Sequence, residues 1–84
     1  MVYYLIMCRS LTYAQKVART LERAGVTATV MRTPKGISKE GCSYCVKISE
    51  RRFAQAMRAL KESETPFTRV YKQAQSGEIR EVMV

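Results

Sequence analysis

Histidine is absent from this 84-residue chain, and that absence removes more chemistry than any other feature of the sequence. Without an imidazole there is no Ser-His or Cys-His nucleophile pair and no histidine metal ligand, so a reactive cysteine must be activated by cations or a helix N-terminus. Cysteine is scarce as well. There are three, an odd number and few for a disulfide-stapled secreted domain, so thiols in a reducing compartment are expected. A four-sulfur zinc site would need a second Cys-x-x-Cys, which is missing; no metal and no cofactor is expected. The longest apolar run, Val2 to Cys8, falls far short of the roughly 20 residues of a membrane span and has no basic segment ahead of it. A soluble, cytoplasmic protein without membrane contact is the expectation. Repeats and linkers are lacking too, so residues 1–84 read as one domain.

What is present is positive charge, a net +8 at pH 7. Lys and Arg in such excess favour an acidic partner, and they gain affinity for phosphates by releasing counterions. Here they are spread along every segment with no run longer than Arg51-Arg52, which reads as a solvated basic surface more readily than a dedicated nucleic-acid site.

Val2 to Cys8 is apolar and β-favouring. Ser10 can cap a helix that begins at Leu11 or Thr12, carries Ala14, Val17, Ala18 and Leu21 on its inner face, and stops at Gly25. Val26 to Met31 alternates as a second strand, broken by Pro34-Lys35-Gly36. After a polar loop the strand pattern resumes at Tyr44 to Ser49. Ser49 or Glu50 then opens a second helix with Phe53, Ala56, Met57 and Leu60 inward. Phe67 to Gln73 makes a fourth strand, and Ser76-Gly77 turns the chain into a short fifth, Glu78 to Val84, with 73–84 as a tail or extra edge strand.

The order β-α-β-β-α-β predicts an α+β, ferredoxin-like split βαβ fold: a four-stranded antiparallel sheet with two helices on one face and an added edge strand. Its right-handed crossover puts the turn after strand one at the same sheet end as the loop between strands two and three. Cys8, Arg9 and Ser10 should therefore lie near Cys42.

The pair Cys42 and Cys45 has three physical uses. A redox disulfide needs Cα atoms within about 7 Å, whereas positions i and i+3 of an extended strand lie roughly 10 Å apart. The pair also precedes a strand, not the helix that lowers a thiol's pKa in thioredoxin-like sites. Zinc is short of ligands unless two chains share it. The third use is one nucleophilic or carrier thiol, Cys42, between Gly41 and Ser43, with Lys35, Lys39, Arg9 and the first helix's N-terminus to favour thiolate. Cys45 shares a strand face with Lys47, which makes it a small hydrophobe on the sheet face away from the helices and a second thiol to be considered. Cys8 reads as a buried strand end.

With Thr33-Pro34-Lys35-Gly36-Ile37-Ser38 followed by Gly41-Cys42, the chain resembles a family of short bacterial proteins described as selenium/sulfur carrier-like. The likeness extends over most of the chain and is most specific in this loop. It implies a ferredoxin-like fold and a cysteine, here Cys42, that carries sulfur or selenium as a persulfide or selenyl-sulfide. The family usually has Gly directly after that cysteine and a small residue where Cys45 stands; this chain has Ser43 and Cys45.

The leading expectation is accordingly a carrier rather than a turnover enzyme, with sulfur or selenium donor and acceptor proteins as partners. The other reading is a binding or regulatory module that forms a homodimer or touches nucleic acid through its open sheet face and basic surface. RNA-binding sheets of this topology display paired aromatics on both central strands, and strand three offers only Tyr44. Tyr3, Leu5 and Met7 or their alternates, joined by Cys45, should make that face apolar, to be met either by self-association through the sheet or by coverage from the C-terminal tail.

Overall fold

The computed structural model describes residues 1–34 and 43–82. Its elements run β1 (Tyr3–Cys8), α1 (Leu11–Arg23), β2 (Thr29–Arg32), β3 (Tyr44–Ser49), a 3-10 turn over Glu50–Arg52, α2 (Phe53–Glu62), β4 (Val70–Gln73) and β5 (Ile79–Val82). The strands form one sheet in the order β2-β3-β1-β4-β5, and every neighbouring pair is antiparallel. This is the ferredoxin-like α+β arrangement expected from the element order, with the fifth strand added beside β4.

Local chemistry sets both ends of α1 and the end of α2. The Ser10 hydroxyl accepts a hydrogen bond from the Tyr13 amide at 3.4 Å, capping α1. At its other end Gly25 N–H donates to Glu22 and Val26 N–H to Leu21, a Schellman motif whose left-handed position is Gly25 at φ 83°. Thus Val26, expected to open β2, finishes the helix instead, and the strand begins three residues later at Thr29. Likewise α2 closes with Glu64 N–H to Lys61 and Thr65 N–H to Leu60, but there the left-handed residue is Glu64, at φ 54°.

The main core lies between the helices and one sheet face. Tyr4, Ile6 and Cys8 of β1, Val46 and Ile48 of β3 and Val70 of β4 meet Ala14, Val17, Leu21, Ala56 and Leu60. Phe53 and Met57, expected inside, pack on the edge of this core and are only partly buried. Phe53 stacks on Tyr4 with ring centroids 3.9 Å apart.

On the opposite face Leu5, Met7 and Cys45 point the same way, as strand parity requires, and they are buried. Tyr71 joins them from β4, and Met31 and Ile79 pack against the group from β2 and β5. The added edge strand thus widens the sheet and brings its own cover for the second face.

Candidate functional site

Strand register defines one end of the sheet. The last row of pairing there is Arg32↔Tyr44↔Cys8. Immediately beyond it Thr33 N–H donates to the Ser43 carbonyl at 2.9 Å, which ties together the two chains that lead into and out of residues 35–42. On the other side of β1, Met7 N–H donates to the Arg69 carbonyl at 2.7 Å, and the Met7 carbonyl accepts from Thr68 N–H at 2.9 Å. The Thr68 hydroxyl reaches the same carbonyl at 3.1 Å. The turn Arg9-Ser10 and the N-terminus of α1 emerge at this same end.

Charge accumulates here. Arg9 and Arg32 are exposed, and the Arg32 guanidinium sits 5.7 Å from the Tyr44 ring centroid. The first turn of α1 contains no acidic residue, so its positive dipole end is not neutralised from within the helix. Arg69 is the exception, held at 3.2 Å by Glu81.

Of the residues singled out from the sequence, Arg9, Ser10 and Ser43 lie together at this end. Cys42, Gly41, Lys35 and Lys39 fall outside the described residues. Cys45 is one pleat further into the sheet, opposite Met7 in the register and buried. Burial pushes its thiol up to about 11, and a hydrogen bond with the Thr33 side chain pulls it back part of the way. Cys8 is buried on the helix face, its Sγ 3.6 Å from the Ile6 carbonyl. Thr33, the first residue of the loop that carries the resemblance, also stands at this end; Arg32 and Thr68 are contributors that the sequence pattern did not single out, and the signal was available for Arg32, close before the Pro34-Lys35-Gly36 break.

Among the described residues no group of three or more Cys, Asp or Glu could hold a metal ion, and no helix is long and apolar enough to cross a membrane. The fold is that of a ferredoxin-like α+β protein, with Arg9, Arg32 and the N-terminus of α1 at one end of its sheet. The sequence profile of the family described as "Putative Se/S carrier protein-like" matches residues 3–72, and the chain belongs to that family. No curated protein matches it.

Proposed function

We propose that the protein carries sulfur or selenium on the Cys42 thiol, receiving the atom from a donor protein and passing it to an acceptor. The observation that carries this reading, beside family membership, is the burial of the other two cysteines. Cys45 is fully enclosed and its thiol is pushed up to about 11, so at neutral pH it is protonated and a poor nucleophile. Cys8 is equally enclosed. The burial of Cys45 also supports single-thiol chemistry over a Cys42–Cys45 redox couple, because a disulfide would require that side chain to leave its apolar cluster.

In the transfer step the Cys42 thiolate attacks the terminal sulfur of a cysteine persulfide on the donor. A sulfur–sulfur bond forms on Cys42, the donor's own sulfur–sulfur bond breaks, and the donor leaves as a thiolate. Charge and electrons balance without an outside oxidant. Support comes from Arg9, Arg32 and the α1 N-terminus at the sheet end where Ser43, next to Cys42 in the chain, stands, since such groups favour the anionic forms of a thiol and a persulfide.

Incubation with a cysteine desulfurase and cysteine, followed by intact-mass measurement, tests the reading. The expected result is a gain of one sulfur atom that a reductant reverses, that Cys42→Ser abolishes and that Cys45→Ala retains. An adduct that persists in Cys42→Ser, or none on the unaltered chain, overturns it.

A further inference from the structure

The sheet layer and the helix layer handle their charges differently. Among the described residues the ion pairs are Arg69–Glu81 at 3.2 Å, Lys72–Glu50 at 3.4 Å and Arg80–Glu78 at 3.3 Å. Every cation in them is carried by the β4–β5 side of the sheet. The helix layer keeps its cations uncompensated. On α1, Lys16, Arg19 and Arg23 are exposed, and their spacing of three and four residues stacks them in one row. That row lies opposite the buried Ala14, Val17, Ala18 and Leu21, so it points directly away from the core. The neighbouring segment adds Arg51, Arg58 and Lys61, also exposed. None of these six is in an ion pair among the described residues; the carboxylates of the same segments are Glu22, Glu50 and Glu62, and Glu50 is taken by Lys72.

The two rows belong to one surface. The Gln55 amide donates to the Ala24 carbonyl, joining the end of α1 to the start of α2, and the Thr20 and Thr65 hydroxyls meet at 3.2 Å across the same seam. Packed helix axes lie about 8–10 Å apart, and Lys16 to Arg23 covers about 10 Å along its axis. The result is a two-helix face whose outward cations run in a row about 10 Å long on α1 and continue on the adjoining segment. A-form RNA offers the matching surface, a wide and shallow minor groove bordered by phosphates and read by shape. Base stacking on the sheet is not the route, since Lys47 Nζ already sits 4.0 Å from the Tyr3 ring centroid there.

We infer that the helix layer binds double-helical RNA through its phosphates, independently of base sequence and independently of Cys42. The site takes the backbone of a folded RNA; it does not read bases.

Fluorescence anisotropy with a labelled RNA hairpin tests this. Affinity should fall steeply between about 50 and 200 mM salt, as counterion release demands. Combined Lys16→Glu, Arg19→Glu and Arg58→Glu should weaken binding by about tenfold or more and flatten the salt slope by about one for each phosphate contact removed. Arg80→Glu on the sheet side and Cys42→Ser should bind as the unaltered chain does, and all variants should melt at similar denaturant concentrations. Failure of the unaltered chain to bind at low salt overturns the inference, as does a triple variant indistinguishable from Arg80→Glu. So do equal affinity for a DNA duplex of the same sequence and displacement by polyglutamate at equal charge, the latter marking a surface for acidic proteins instead.

Discussion

A thiol's environment decides whether it reacts, stabilises or does neither, and Cys45 illustrates the second case. Its neighbours Leu5, Met7 and Tyr71 remove it from water, so the neutral form is favoured in the folded protein and ionisation is deferred to about pH 11. The folded state holds this proton more tightly than the unfolded chain, so the associated stability is intact below about pH 9 and is lost as pH rises toward 11. Every tenfold difference in proton affinity between the two states corresponds to about 1.4 kcal/mol. Denaturant melts of the unaltered chain and Cys45→Ala should therefore converge as pH climbs through that window; parallel curves would contradict the burial. Alkylation followed by peptide mapping should find Cys42 modified well before Cys45 and Cys8 in the native protein, and all three at similar rates once it is unfolded. At the core, Leu21 and Leu60 are 0% and 1% exposed. Truncation of either to Ala should cost about 2–5 kcal/mol by denaturant melt, whereas the half-covered Met57 should cost less.

The two helices offer an internal comparison, because the same C-terminal motif is built once around Gly25 and once around Glu64. A side chain in the left-handed region costs about 1–2 kcal/mol, offset in part by the extra backbone freedom that glycine loses on folding. Glu64→Gly should thus raise stability by about 0.5–1 kcal/mol, and Gly25→Ala should lower it, both read from chemical melts. Helix α1 was legible in the sequence to within one residue at its start, because Ser10 precedes an unbroken helical stripe. Strand β3 was legible at both ends, bounded by the polar loop and by Ser49. The start of β2 was not: Val26 has strand chemistry, but its amide is spent on the Leu21 carbonyl. Nor was the start of β4, where Phe67 looks like strand but pairing begins at Val70. At the candidate site, topology alone put Arg9 and the α1 N-terminus at the sheet end where Ser43 precedes β3, while their expected neighbour Cys42 lies outside the described residues. The contributions of Arg32 and Thr68 depend on register, which a single sequence does not specify.

For the molecule as a whole, the sheet is the unit that both layers depend on, and β5 completes it. Ile79 packs on the second face while Val82 packs against the main core, so deleting residues 77–84 removes support from both sides at once. A loss of about 2 kcal/mol is expected, together with self-association detectable by light scattering as Tyr71 and Leu5 lose their cover. A truncated chain as stable and as monomeric as the full one would show that the strand is ornamental. Strand β1 has the opposite position, at the centre and buried on both faces. Its side chains are apolar on either side of the pleat, so hydrophobicity does little to distinguish one register from a slip by one residue. The ring of Tyr4 against Phe53 is the shape-specific contact that does. During synthesis the six residues Tyr3–Cys8 leave the ribosome well ahead of their partners β3 and β4, which follow only after about 35 and 60 further residues, seconds later at ordinary elongation rates. For that interval the newborn chain displays an uncharged, β-prone segment of the kind that zips into aggregates. The native centre of the sheet is therefore also its period of greatest exposure to misassembly, and chaperone dependence during translation should be relieved by a single polar substitution at Tyr3, whose side chain is only partly buried in the finished fold.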